Sequence, residues 1–347
     1  MKKLLLLLFA LAAVSLASSA ATYKGDANCD GAINGSDINI MIDIALGKAD
    51  YIIAADANGD GVVDGSDINY AINVTLGKQD PEPFEEPGGD EVFSVNGVEF
   101  KVIYVEGGTF TMGSNTAVPG SYMSYNANYH MPEHQVTVSS FKMMEFEVSH
   151  LLYKQLMPYA PMDADAYHYN DYVRHCVDTY SEYYTPYDSA VAFAEKLSEL
   201  TGRHFRLPTE AEWEFAARGG NLSEGHLYPG GDDVYTVANV HTSSAYLNWP
   251  TQGLKKPNEL GLYDMAGNVS EWCSDPYCYY TEDAQVNPTR GAGEYVPNYY
   301  GVDSENIHVM RGGTCDSFPY EHWICAVYAR IGTVNTRSEE RRVGKEC

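Results

Sequence analysis

Residues 25–48, GDANCDGAINGSDINIMIDIALGK, recur as residues 55–78, ADANGDGVVDGSDINYAINVTLGK, with a period of thirty. Each copy opens D-x-N-x-D-G, which sets an oxygen-bearing side chain at every second position and a glycine at the bend. Hard oxygens alternating along a tight loop suit a calcium ion, and Gly31 and Gly61 permit the turn. The first set is Asp26, Asn28, Asp30, the carbonyl of Ala32, Asn34 and Asp37; the second is Asp56, Asn58, Asp60, Val62, Asp64 and Asp67. Asp rather than Glu closes each set, so the last ligand is short.

A single apolar helix is expected after each loop, through Ile38, Ile40, Met41, Ile44 and Leu46, then Ile68, Tyr70, Ala71, Val74 and Leu76, ended by Gly47 and Gly77. With one helix per loop, residues 24–78 resemble a type I dockerin. The resemblance implies a small α module with two Ca²⁺ that docks onto a cohesin-type scaffold. Its contact positions would be Gly35, Ser36, Gly65 and Ser66, identical in both copies, as expected if the module binds in two orientations.

Both ends are set apart from the fold. Residues 1–20 carry Lys2-Lys3, an apolar run from Leu4 to Val14, and Ser18-Ser19-Ala20 before Ala21, the three regions of a signal peptide. An exported protein, extracellular or cell-surface-associated and of bacterial type, is the expectation, with no membrane span. Residues 337–347, RSEERRVGKEC, back-translate to something like a common sequencing adapter and are set aside as an artefact, which leaves six cysteines. Residues 79–92 hold three Pro, two Gly, six acids and no base, and read as a stiff acidic linker. Across 347 residues, 48 acids face 22 bases, a net charge of −26, which argues against nucleic acid as a partner.

The second module spans 93–336. Phe100-Val102-Tyr104 alternates like a strand, EGGTFTMGS (106–114) turns and restarts, and residues 134–157 read as two strands entering a helix capped by Ser149. Tyr187 to Leu200 has helical spacing ended by Gly202. RLPTEAEWEFAARGG (206–220) carries Thr209 and Glu212 as a capping box, and Trp213, Phe215 and Trp272 are expected core anchors. With NELGLYDMAGNVSEW (258–272), MRGG (310–313) and Ala329-Arg330, these pieces resemble the formylglycine-generating enzyme, or sulfatase-modifying factor, family. The resemblance implies an irregular α+β domain of C-type-lectin-like fold, and a missing closing strand beyond Arg330 that would leave a sheet neighbour unpaired.

Enzymes of this family oxidise a substrate cysteine to formylglycine with a copper-binding cysteine pair placed four and nine residues past Arg-Gly-Gly. Here those places hold Ser317 and His322. Cys315 and Cys325 are displaced, so no catalytic residues are expected; the alternative is a copper site of Cys315, His322 and Cys325. Cys176, Cys273, Cys278, Cys315 and Cys325 could instead form disulfides in an exported protein. The resemblance also implies a structural Ca²⁺ held by the side chains of Asp264 and Glu271 and the carbonyls of Gly267 and Val269. A second family site would need Asn239 and a downstream acid, and residues 242–253 contain no Asp.

Tyrosine occurs 28 times, with a cluster that includes Tyr167, Tyr169 and Tyr172. Such rings give rigid amphipathic contacts suited to a protein or glycan ligand. Three readings follow: a secreted calcium-loaded adaptor whose second domain binds protein or glycan, a copper-dependent oxidase of sulfatases, and a structural component of an extracellular polysaccharide-degrading assembly.

Overall fold

A computed structural model of the chain describes residues 15–16, 23–28, 31–48, 53–58, 62–82, 89–116, 130–157, 180–182, 185–241, 251–289, 293, 307–315, 317 and 322–334.

In the first module, α1 (Gly35–Ala45) and α2 (Gly65–Thr75) each start on a capping box. Asn34 accepts from Ser36 N at 2.8 Å, and Asp37 returns to Asn34 N at 2.9 Å. Asp64 and Asp67 repeat the arrangement. These local bonds satisfy amides that the first helical turn cannot pair. Between the helices lies a thin core of Ala27, Met41, Ala55, Val63 and Ala71. Leu46 and Leu76, expected on the apolar stripe, are instead 61% and 60% exposed. Both sit one residue past the end of their helix, where the chain turns away from that core.

Glu82 fastens the first stretch of the linker back onto this module. Its carbonyl accepts from Lys24 N at 2.9 Å, its carboxylate pairs with Lys24 Nζ at 2.9 Å, and its N–H donates to the Tyr70 hydroxyl at 2.7 Å. The linker's far end is shorter than the sequence suggests, because Glu91 already opens a strand.

Among the described residues, the second module holds three small sheets. The first orders β6 (Phe141–Met144), β3 (Val98–Val105) and β2 (Glu91–Val95), all antiparallel, and β1 (Ser15–Leu16), inside the stretch read as a signal peptide and expected to lie apart from the fold, pairs along the free edge of β6. The second orders β10 (Ile331–Val334), β9 (Ile307–Arg311) and β7 (Glu271–Pro276). The third joins β4 (Gly108–Met112) and β5 (His134–Val138), with β8 (Gln285–Val286) parallel to β5. The expected unpaired neighbour is not seen at β9. Residues 331–334 run straight on from Arg330 as a strand, so β9 is flanked on both sides.

Helices α3 (His150–Leu156), α4 (Tyr187–Thr201) and α5 (Glu210–Ala217) begin and end where the local signals place them, and α6 (Val234–Val237) is a single turn. Ser149 caps α3 through Leu152 N at 3.1 Å, and Gly202 closes α4 in the left-handed region. Trp213, Phe215 and Trp272 are buried to 1% exposure or less. Trp213 and Phe215 sit in one core with Phe141, Val309 and Ala329, while Trp272 sits in a second with Leu152, Phe193 and Leu197. Helix α5 is buried on every side, Glu210, Glu212 and Glu214 included, which an ordinary amphipathic helix is not. Among the described residues, no helix is long and apolar enough to cross a membrane.

Candidate functional site

The Arg-Gly-Gly turn is fixed by charge. Arg311 donates to Glu210 Oε1 at 2.9 Å, Glu214 Oε2 at 2.8 Å, the Tyr280 hydroxyl at 2.9 Å and the carbonyls of Val327 and Ala329. Arg330 adds a bond to Glu210 Oε2 at 2.5 Å and lies over the rings of Tyr277 and Tyr280. Burial alone would push the Glu214 carboxyl up, but Arg218 and Arg311 outweigh it and hold the group below its usual range. Buried charges persist only when paired this fully.

Past that turn lie the two positions where the family resemblance expects cysteines. Ser317 is 1% exposed and His322 6%. Ser317 Oγ accepts from Thr314 N at 3.2 Å, His241 N donates to the Ser317 carbonyl at 3.2 Å, and His322 Nε2 lies 3.0 Å from the His241 carbonyl. The Tyr235 ring meets the imidazole edge-on at 5.2 Å. Burial lowers the pKa of His322, so the neutral ring is favoured.

The displaced cysteines are built into the core. Cys315 and Cys325 are both buried, and Cys273, Cys278, Cys315 and Cys325 are all thiols, so the disulfides expected among these four are not formed. Burial pushes the Cys325 thiol up to about 12 and Cys273 well above its ordinary value. A thiol held protonated is a poor copper ligand, since the thiolate is the binding form. Gly313, at φ +79°, has no room for a side chain, because a Cβ there would lie 2.7 Å from Cys325 Sγ. Cys176 lies outside the described residues.

The DMAGNVSE loop supplies the second module's cation candidates. Asp264 is 2% exposed at φ +58°; its Oδ2 accepts from Gly253 N at 2.7 Å, while Oδ1 is buried without a hydrogen bond. Burial raises its pKa to about 6. Glu271 is fully buried, and its Oε2 accepts the Trp213 indole N–H at 3.0 Å. Gly267 must be glycine: φ is +73°, and a Cβ would lie 2.4 Å from the Asn239 carbonyl. Two buried carboxylates, one with an oxygen lacking any donor, fit a hard cation completed by backbone oxygens. Among the described residues, no three His, Cys, Asp or Glu side chains form a ready cage, so carbonyls such as those of Gly267 and Val269 would be needed. Asn239, the candidate for a further site, donates its Nδ2 to Asn268 Oδ1 at 2.9 Å.

In the first module, Asp26, Asp37 and Asp67 are fully buried and Asp56 nearly so. Asp26 Oδ2 accepts from Gly31 N at 2.9 Å, and Asp37 accepts from the amides of Asn28 and Asn34. Asp67 does the same for Asn58 and Asp64. Carboxylates this deep in so small a module fit the two cation loops read from the repeat, with Asn28, Ala32, Asn34, Asn58, Val62 and Asp64 around them. Asp30 and Asp60 lie outside the described residues. The exposed first turns of the helices carry Gly35, Ser36, Gly65 and Ser66. Ser66 Oγ is tied to Asn58 and Asp64, a constraint that spacing alone does not reveal.

Tyr167, Tyr169 and Tyr172 lie outside the described residues. A half-open cleft of about 280 Å³ is described, walled by Phe100, Met144, Phe146, Glu99 and Lys101. Sequence reasoning passed over Glu147, which is buried beside the Asp264 loop. Its signal was a carboxylate inside the apolar stretch between Phe146 and Val148.

A family model described as "Sulfatase-modifying factor enzyme 1-like domain" matches residues 92–330. The formylglycine-generating enzyme of Streptomyces coelicolor is 37% identical over 127 residues, covering 31% of this chain and 35% of that protein. The inactive C-alpha-formylglycine-generating enzyme 2 of Bos taurus is 36% identical over 98 residues, covering 25% of this chain and 31% of that protein. The match to the curated relatives spans about a third or less of their length. Among solved structures, the Treponema denticola variable protein 1 superposes with a TM-score of 0.53 at 24% identity, over 71% of this chain and 94% of that one, a likeness of fold.

Proposed function

The chain belongs to the sulfatase-modifying factor enzyme 1-like family through residues 92–330, and on that premise we propose that it is a secreted, calcium-loaded, non-catalytic member that binds protein or glycan. One observation carries the reading. The two positions that would hold the copper-binding cysteines are Ser317 and His322, both buried and hydrogen-bonded into the fold. A hydroxyl and a neutral imidazole are poor substitutes for two thiolates toward Cu(I). The nearby Cys325, with its thiol pushed up to about 12, offers little replacement.

Calcium would be held by the two repeat loops and by Asp264, Gly267, Val269 and Glu271, where it supplies charge balance and loop rigidity. The Phe100–Phe146 cleft is the described surface that would take a ligand, and the Tyr-rich segment is a candidate from its composition alone. For the first module, docking on a cohesin-type scaffold is supported by matched apolar exposure on its two helices. Ile42 and Ile72 are each 37% exposed, beside Leu46 and Leu76 at 61% and 60%.

The decisive test incubates the full chain with copper, reductant, oxygen and a peptide carrying the sulfatase cysteine motif, and follows the peptide by mass spectrometry. An unchanged peptide, beside an active control enzyme, is expected. Conversion of its cysteine to formylglycine overturns the reading and returns the copper-dependent oxidase, with Cys315, His322 and Cys325 as its candidate site.

A further inference from the structure

We infer that Glu147 is the positioning residue of the Asp264–Glu271 loop, an inference that rests on the reading that this loop holds calcium. Glu147 is 3% exposed and lies outside the loop in sequence, just before α3. Its carboxylate accepts three hydrogen bonds. Oε2 takes the Ser181 hydroxyl at 2.8 Å and the Asn268 side-chain amide at 2.7 Å, and Oε1 takes the Val269 backbone N–H at 3.2 Å. Two of the three donors belong to the loop itself.

The consequence follows from peptide planarity. An amide group is rigid, so fixing its N–H fixes the carbonyl of the preceding residue in the same plane. The Asn268 N–H donates to the Asn239 carbonyl at 2.8 Å, which orients the plane bearing the Gly267 carbonyl. Glu147 holds the next plane, between Asn268 and Val269, from its N–H side, while Cys315 N holds it at 2.8 Å from its carbonyl side. That plane lies between the two that carry the carbonyls of Gly267 and Val269. Glu147 therefore sets the angle at which these two oxygens can face a common ion, without needing to bind the ion itself.

A glutamine at this position has the same shape and half the acceptors. Its NH₂ would confront either the Asn268 amide or the Val269 N–H, donor against donor in a buried place. The plane would turn to escape, carrying the ligand oxygens with it. Residues that orient metal ligands typically cost tenfold or more in metal affinity when altered.

The test uses the full chain and Tb³⁺ as the probe, excited through tryptophan. Trp213 touches Glu271, and the first module contains no tryptophan, so the part of the sensitised signal that D264N removes reports this loop. Wild-type luminescence lost in D264N, together with about tenfold or more weaker binding in E147Q, is the expected result. Lifetimes in H₂O and D₂O should show E147Q with more water on the ion, a signature that a general loss of stability does not produce. If D264N abolishes the signal while E147Q keeps wild-type affinity and lifetime, the role of Glu147 is overturned and the calcium reading stands. If the wild-type chain gives no signal that D264N removes, the calcium reading itself fails and takes this inference with it. Should E147Q not fold, S181A replaces it, removing one donor that aims the carboxylate; weaker Tb³⁺ binding is expected, and unchanged affinity overturns the role.

Discussion

The Arg311 guanidinium donates to Glu214 Oε2 at 2.8 Å, and neither side chain has any exposure to solvent. The two residues lie 97 positions apart, so this contact joins helix α5 to the Arg-Gly-Gly turn across the core. Replacing Arg311 with Met keeps much of the volume but takes one cation from two buried glutamates, leaving Glu210 to Arg330 and Glu214 to Arg218 alone. A loss of about 3–5 kcal/mol is expected in denaturant unfolding followed by tryptophan fluorescence. A loss under about 1 kcal/mol, the level of an exposed pair, would contradict the account.

Asp275 gives a pH dependence whose sign is fixed. Burial first, then the nearby Glu210 carboxylate, raises its pKa from 3.8 to about 7. A carboxyl whose folded pKa exceeds its unfolded one binds protons better when folded. Its contribution is therefore fully present below 3.8 and is lost as pH rises through about 7. D275N retains an oxygen for the Glu210 N–H, which Asp275 Oδ2 now accepts at 2.8 Å. Relative to D275N, the wild type should lose roughly 2 kcal/mol of unfolding free energy between about pH 5 and about pH 8. Parallel pH profiles for the two proteins would refute this.

Calcium binding at the second module should depend on pH in the opposite sense. Asp264 titrates at about 6 through burial, and a cation must displace that proton. Affinity should fall as pH drops through that value, and chelation should lower the melting temperature more at neutral pH than in acid. Calorimetric titration at both conditions checks it.

In the first module, D37A removes a buried carboxylate that accepts from Asn28 and Asn34 and closes the α1 capping box. Calcium stoichiometry of the whole chain should drop by one site. The apo module should also lose about 1 kcal/mol from the missing cap, read as reduced helical circular dichroism. An unchanged stoichiometry would remove Asp37 from the ligand set.

Much of this architecture was legible in local sequence. Ser149, Gly202, the Thr209–Glu212 box and the two repeat boxes each act on amides a few residues away, so their spacing alone sets the helix ends. Leu46 and Leu76 continue the apolar spacing yet are exposed, because helical periodicity does not say where the partner surface stops.

What the sequence by itself determined, then, is where helices start and end, the two matched D-x-N-x-D-G loops, and the Ser317 and His322 that follow Arg-Gly-Gly. Tertiary structure alone decided that Arg311 meets Glu210 and Glu214, that Cys273 and Cys325 stay buried as thiols, and that Glu147 reaches across 121 and 122 residues to grip Asn268 and Val269. The division is physical. Caps and loops close within a turn of backbone, whereas a buried charge finds its partner only when packing excludes water and brings distant segments together.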